Sequence, residues 1–448
     1  MCTFVTYQHM SRNIQRRDVV KGLGVAGFAG LAGCTTEESP DDDNGGDDEV
    51  PDAVMIVGFP QSGIQLFRDY YSEFADDTPE LDIIVPDGLM DSDLPGEVDN
   101  DMNNVIGTRP SASGPGAAFF EDEYEAAYDR EPGVFIAQAY DAMAINVLAA
   151  VAAGENTGSE IRDRVRTVAN PGGEEFGPAD LVEAVETVAA GDEVHYVGAS
   201  STADFDVNGD IVSAAYDVVD FQDGSLEVLD TVEFGTDLTD EDMDAVAEPP
   251  VGVDDFEAMV GVLMPETGDL GPLGTQIRDG ALLAADQIND ADINVSVDTR
   301  VEDTQTDPQA GISGANSLVE AGYAAVVGPA ASNVNLQVAD QVLIPNGVVG
   351  ISPSSTDPDI TSLDDDGYIF RTAPSDVLQG PALADLALGE FVGAQSSGTL
   401  YLNDAYGQAL EGEYATSFEE AGGQLGQRVS FEPEQASYSS QWSDALNL

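Results

Sequence analysis

Residues 259–294 read MVGVLMPETGDLGPLGTQIRDGALLAADQINDADIN. An apolar run from Met259 to Met264 meets a loop rich in Gly and Pro, after which Ile277, Leu282, Leu283, Ala284 and Ile288 recur at helical spacing. The pattern predicts a strand, a glycine loop and a helix, and the same alternation continues in both directions. Downstream it predicts strands at 293–301, 324–327, 348–351, 368–372 and 399–402, with helices at 309–321, 379–391 and 407–421. Upstream it predicts strands at 53–57 and 81–85, helices at 64–74, 119–128, 137–153 and 178–190, and a hairpin of strands at 214–221 and 226–234. Strands that alternate with helices pair in parallel in a sheet covered on both faces, so the fold class is α/β. Between the two stretches, residues 236–256 are acidic, contain Pro249-Pro250 and lack periodicity, which predicts a linker.

The chain has 448 residues, enough for two or three units that each bury a core, and 42% apolar content. Its 85 acidic and 14 basic residues give a net charge of −71, which argues against binding nucleic acid or bare anionic lipid. Four of the basic groups (Arg12, Arg16, Arg17, Lys21) precede residue 34 with one acid (Asp18), which leaves ten arginines facing 84 acids. Apolar periodicity persists from end to end, unlike a disordered acidic tract. The composition therefore predicts a folded protein of halophilic archaeal type, whose dense carboxylates hold water in concentrated salt.

Arg16-Arg17 stands before a short apolar segment of small residues (22–33), too short to span a bilayer, and Leu31-Ala32-Gly33-Cys34 follows. The first resembles a Tat export signal and the second a lipobox, in which cleavage before Cys34 exposes it for lipid attachment. A chance basic pair and a buried thiol are the plain alternatives. On this reading residues 1–34 are a lipoprotein signal, with Met1 or Met10 as the start, and the acidic, nearly apolar-free stretch 35–50 is an extended tether.

Two loops bring hydroxyls to predicted strand ends. Gly328–Ser332 and Ser352–Thr356 could wrap a carboxylate at helix N-termini, although by spacing alone Ser332, Ser354 and Thr356 read first as N-caps. Asp87, between Pro86 and Gly88, could pair with a cation in a closed cleft or be a plain turn aspartate. Asp204 to Asp210 (DFDVNGD) has the start of a calcium loop but lacks its distal Glu, because Ala215 stands there, so a turn is favoured. His195 stands alone before an apolar stretch, which favours a structural role. No phosphate loop, nucleophile elbow or metal set is visible, so neither an enzyme, a cofactor nor a metal is expected.

The phrases MPETGDLGPLG, EDTQTDPQA, VVGPAAS, ISPSSTDP, FRTAPSDVLQG and LNDAYGQAL, with VGFPQSGIQLFRD, VPDGL, EPGVFIAQAYDA and FDVNGD earlier, resemble segments of the Leu/Ile/Val-binding family. These are extracytoplasmic solute receptors of ABC importers with the type 1 periplasmic-binding-protein fold. The resemblance implies two doubly wound parallel-sheet lobes joined by hinge strands, with a ligand in the cleft between them. Residues 51–235 resemble the second half of such a chain and 257–448 the first, so the order is circularly permuted. The resemblance also implies an amino-acid ligand, branched-chain or similar, with its α-carboxylate on Ser332, Ser354 and Thr356 and its ammonium on Asp87. Tyr406 would form another wall, with Phe59 where relatives often carry Tyr. The implied partners are a permease and an ATPase, the implied place the outer face of the cell membrane through lipidated Cys34, and the implied state a monomer. A sensor binding an amide, urea-like compound or aromatic acid in the same fold is the alternative.

Overall fold

The computed structural model describes residues 50–246 and 248–447; Arg16, Arg17, Cys34 and the tether up to residue 49 lie outside them. The early part runs β1 (Ala53–Val57), α1 (Pro60–Glu73), β2 (Asp82–Val85), α2 (Leu94–Val98), β3 (Val105–Pro110), α3 (Ala117–Tyr128), α4 (Ile136–Ala153), α5 (Gly158–Ala169), β4 (Glu174–Phe176), α6 (Leu181–Ala189) and β5 (Val194–Tyr196). The hairpin β6 (Ser213–Gln222) and β7 (Ser225–Gly235) and the short α7 (Asp240–Asp244) complete it. The late part runs β8 (Phe256–Met264), α8 (Gly271–Asn289), β9 (Val295–Asp303), α9 (Pro308–Ala321), β10 (Ala325–Val327) and α10 (Ser332–Val338), which continues through a π turn into α11 (Ile344–Asn346). It ends with β11 (Val349–Ser352), β12 (Ile369–Arg371), α12 (Asp376–Leu388), β13 (Ser396–Leu402), α13 (Ala405–Glu420), β14 (Gln424–Phe431) and α14 (Ser439–Ala445). Helices begin where the sequence provides for it: Pro308 follows the N-cap Asp307, and Asp404 caps α13 by accepting from Gly407 N at 2.8 Å.

Two sheets carry these elements, in the α/β architecture that the alternation of strands and helices predicts. The seven-stranded sheet has the order β14-β13-β1-β2-β3-β6-β7, parallel up to β3 and antiparallel from β3 to β6 and β7. The five-stranded sheet, β12-β11-β10-β8-β9, is parallel throughout. Both parts of the chain build both lobes. The strand β1 lies between β13 and β2, with Val54 opposite Gly398, and the carbonyl of Ala445 in α14 presses on that same glycine, where a Cβ would approach it to 2.4 Å. Helix α14 also packs on α1: buried Trp442 donates from Nε1 to Leu66 O at 2.9 Å and lies 4.7 Å from the Tyr70 ring. In the other direction the early helix α4 packs on α8 of the late part, behind the five-stranded sheet. Helix α4 is long and apolar enough to cross a membrane, yet every one of its residues is buried in this fold.

Three segments pass side by side between the sheets, at 111–116, 197–212 and 372–375. Ser113 N donates to Ser200 O at 3.2 Å and Gly114 N to Ala199 O at 3.0 Å, while Thr372 Oγ1 donates to Gln138 O at 2.8 Å. Buried Asp141 of α4 fixes the second segment by accepting from Tyr196 OH, Ala199 N, Ser200 N and Ser200 Oγ, so the cost of burying its charge is offset by four donors.

The stretch 236–256 departs from the expected plain linker. Thr239 and Asp242 form a capping box at α7, and Asp242 also accepts from Val207 N at 2.8 Å. Val251 N donates to Ala152 O and Val253 N to Ala189 O, at 3.0 and 2.7 Å, so backbone groups without periodic side chains still pin the segment to the body. The DFDVNGD loop is a turn: Asp206 Oδ1 accepts from Asn208 N and Asp210 N, Asp204 pairs with His195 at 2.9 Å, and Asp210 pairs with Arg371 at 2.5 Å. Its oxygens are thus committed, and among the described residues no group of three or more His, Cys, Asp or Glu could hold a metal.

Candidate ligand-binding cleft

The carboxyl ends of strands in both sheets open on one narrow cleft, the place where α/β proteins bind ligands. From the seven-stranded lobe come Phe59 after β1, Asp87 and Gly88 after β2, and Tyr406 in the first turn of α13. From the five-stranded lobe come Ala330, Ala331 and Ser332 before and at the start of α10, and Ser354 after β11. Leu270, Leu273, Ile277 and Phe135 form an apolar wall. Five of the six expected ligand residues therefore line one cavity. Thr356 does not; it is fully buried one layer deeper, and its hydroxyl has no hydrogen-bond partner.

Asp87 opens a single 3-10 turn and is 3% exposed. The Tyr406 hydroxyl donates to its Oδ1 at 3.4 Å, and among the described residues no basic side chain pairs with it. Burial pushes its pKa up to about 6, against the smaller lowering effects of the Gln379 side chain, its own backbone and Tyr406. Gly88 makes the approach possible, since a Cβ there would lie 2.4 Å from Gly58 O and 3.1 Å from the Tyr406 hydroxyl. Phe59 stacks on Tyr406 with centroids 5.2 Å apart and planes within 7°, so the missing hydroxyl is replaced by an aromatic floor.

On the opposite wall the hydroxyls do not cap helices. The N-cap of α10 is Ala331, without a side-chain bond, and in the next loop the capping is done by Asp357, which accepts from Asp359 N at 2.8 Å. Ser332 Oγ instead accepts from Thr356 N at 3.2 Å and Asp357 N at 3.4 Å, and Ser354 Oγ donates to Ala330 O at 3.2 Å. These bonds tie the two loops together and leave the Ser332 proton free for a ligand oxygen. Phe135 meets the cavity with φ 65° and ψ 0°, a left-handed conformation costly for a bulky residue, on the order of 1–3 kcal/mol, and such strain collects at ligand sites.

The lobes also touch at the rim. Ser62 of α1 donates from N and Oγ to Asp269, before α8, at 2.7 and 2.9 Å, and Gln61 N donates to Asp269 O at 3.3 Å. Asp269 is pushed up to about 6 by burial, against the bonds from Ser62. Sequence reasoning missed this latch, the apolar wall and buried Asp376 at the start of α12. For Asp376 the only signal was its place in the phrase FRTAPSDVLQG, where it reads as an ordinary first-turn acid.

The fold and cleft define a two-lobed α/β architecture with its polar loops facing one another across the space between the sheets. Residues 257–447 match the family model described as "Periplasmic binding protein". The Leu/Ile/Val-binding protein BraC3 of Rhizobium johnstonii is 32% identical over 167 residues, which are 36% of this chain and 44% of that protein. The leucine-, isoleucine-, valine-, threonine- and alanine-binding protein of Pseudomonas aeruginosa is 35% identical over 162 residues, 35% of this chain and 42% of that protein. Among solved structures, the branched-chain amino acid transporter substrate-binding protein LivJ of Streptococcus pneumoniae, in complex with isoleucine, is 27% identical with a TM-score of 0.36, over 41% of this chain and 52% of that one. The chain spans less than half the length of these curated relatives. The segment 257–447 is thus similar to periplasmic binding proteins and to proteins named as Leu/Ile/Val-binding.

Proposed function

We propose that the protein is an extracytoplasmic substrate-binding protein of an ABC importer that closes its lobes on a small apolar amino acid. The observation that carries this is Asp87, an enclosed carboxylate without a cation, set across the cavity from hydroxyls and helix-start N–H groups. In this reading Asp87 and Tyr406 receive the α-ammonium, Ser332 and Ser354 with the N-terminus of α10 receive the α-carboxylate, and Leu270, Leu273 and Ile277 receive the side chain. Thr356 acts from behind, by the bond its N–H makes to Ser332. Relatives that bind branched-chain amino acids support the ligand class. Residues 1–34 carry a Tat-type lipoprotein signal, Cys34 bears the lipid, residues 35–50 form the tether, and a permease and ATPase accept the ligand.

The chain order is a circular permutation, with 51–235 equivalent to the later half of the fold, 257–448 to the earlier half, and 236–256 as the new join. Support comes from β1, which continues the sheet at β13, and from α14, which abuts the same Gly398. Such a chain forms a monomer, since the join is pinned along the body and need not reach a second molecule. Native mass spectrometry of protein purified in molar KCl and exchanged into volatile salt tests both statements. A monomer carrying leucine, isoleucine, valine or alanine is expected; a swapped dimer, or an aromatic acid in the cleft, would contradict them.

A further inference from the structure

Asp87 has a neighbour that the amino-acid reading leaves unused. Asp376, the first residue of α12, is fully buried, and neither of its carboxylate oxygens completes a hydrogen bond within the protein. The Thr356 hydroxyl, near enough to favour the charged form, and Gln379 Oε1, one turn along α12, are also buried without partners. Gln379 Nε2 donates to Thr108 O at 3.2 Å, while Asp376 N donates to Thr356 O at 2.9 Å and Thr356 N in turn donates to Ser332 Oγ at 3.2 Å, which sets Asp376 directly behind the cleft.

The charged and titratable groups that face this pair are few. Arg371 of β12 is committed to Asp210, Thr361 and the carbonyls of Ser355 and Asp357. Asp357 comes from the loop after β11, Asp404 and Tyr406 from the start of α13, and Tyr216 from β6. Among the described residues, the guanidinium at hand is therefore already used by other groups.

We infer that the cleft closes on its ligand together with one proton, held by Asp87 and Asp376 between them beside the ligand ammonium. This rests on the amino-acid reading above. A zwitterion brings one positive charge to this side, since its carboxylate is met on the opposite wall, and the remaining wall is too apolar for a second cation. Two acids facing one ammonium leave one carboxylate bare, and a bare buried carboxylate costs more than protonation does. Burial, before any other cause, raises both groups, and the charge of Asp87 raises Asp376 further, so that it lies well above the usual carboxylate range even at a helix N-terminus. The balance is simple: with the lobes apart both acids are solvated and ionised at neutral pH, closure takes one proton from solvent onto a carboxylate oxygen, and opening returns it. The closed complex thus holds one proton more than the separated lobes, and affinity falls as pH rises, by up to about tenfold per unit above pH 6.

Titration calorimetry with leucine as probe, in molar KCl near pH 7 and in buffers of unlike ionisation heat, tests this. Nearly one proton taken up per leucine is expected, and Asp376→Asn, whatever its affinity, takes up much less. No buffer dependence in the wild type, or equal uptake in the variant, would overturn the inference. If leucine, isoleucine, valine and alanine all give no heat, the functional reading fails by itself, and X-ray scattering without added ligand still decides about the proton. Lowering the pH from about 8 to about 5 should then compact the wild type more than Asp376→Asn, which is compact at both; no change in the wild type, or an equal change in the variant, would overturn it.

Discussion

The two walls of the cleft carry opposite kinds of polar group. The five-stranded lobe offers hydroxyls and the backbone N–H groups of a helix start, held in place by bonds between the loops after β10 and β11. The seven-stranded lobe offers acids and aromatic rings: Asp87 beside Tyr406, Phe59 stacked below, and Asp376 behind. On the proposed reading the two ends of a zwitterion divide between the walls, the ammonium going to the acids of one and the carboxylate to the hydroxyls and N–H groups of the other. Burial raises both Asp87 and the rim acid Asp269; Ser62 donates to Asp269, whereas on the proposed reading a cation or a proton from outside the protein offsets the charge of Asp87. On that reading the contrast teaches that selectivity for a bipolar ligand and the driving force for closure come from the same residues.

The largest expected effect concerns acids outside the cleft. With 84 acids facing ten arginines after Cys34, self-repulsion should unfold both lobes when screening is withdrawn, since the Debye length grows from ~3 Å at 1 M to ~30 Å at 0.01 M salt. Circular dichroism during dialysis from molar KCl is expected to show loss of helix, and full native ellipticity at about 10 mM would remove the halophile proposal. Next comes the scaffold of the acidic wall. Trp442→Ala empties the contact of α14 with α1 and should cost about 3–5 kcal/mol in denaturant titrations, against about 1 kcal/mol or less for a substitution at exposed Val228 on the edge strand β7.

How much of this was legible depends on what hides an element. Strands buried on both faces, such as AVMIV in β1 and AVV in β10, show as apolar runs, and α8 shows by its period. Of the elements that were not predicted, three show the physical reasons most clearly. In β3 the run VIGTRP is broken by Gly107, where a Cβ would lie 1.7 Å from Val85 O, so close approach of β2 removes the side chain that would have marked the strand. The edge strand β14 is largely exposed and reads as polar. Helix α5 reads as charged because of Arg162, Arg164 and Arg166, yet the last two are buried, with Arg166 donating to the carbonyls of Asp206 and Val207. At the cleft, the hydroxyl loops were visible as loops, but choosing between capping and binding needed the neighbouring loop to which Ser332 is bonded. Asp376 was hidden because a first-turn acid is ordinary at any helix start, and only the surroundings of its oxygens make it unusual.

Smaller effects separate the walls from each other. Asp87→Asn should weaken leucine binding by roughly ten- to a hundredfold, the value of a charge-assisted bond of ~1.5–3 kcal/mol, and Ser332→Ala by a smaller factor because backbone N–H groups remain. Calorimetry reads both, and an equal loss in the two variants would blur the assignment of charge to one wall. Ser62→Ala, at the rim latch, should cost about 0.5–1.5 kcal/mol of closure, seen as a severalfold faster ligand release in stopped flow. With its donors reduced, Asp269 should rise further; since its pKa is raised in the closed form, the closure it supports is complete at low pH and is lost as pH passes upward through about 6.

The central claim is that the cleft requires both ends of a zwitterion, and competition calorimetry in molar KCl with leucine, its α-keto acid and isopentylamine tests it most directly. Each analogue keeps the apolar group and one end, so each should bind at least about tenfold more weakly than leucine. A keto acid that binds as tightly as leucine would show that Asp87 pairs with no ammonium and would contradict the account.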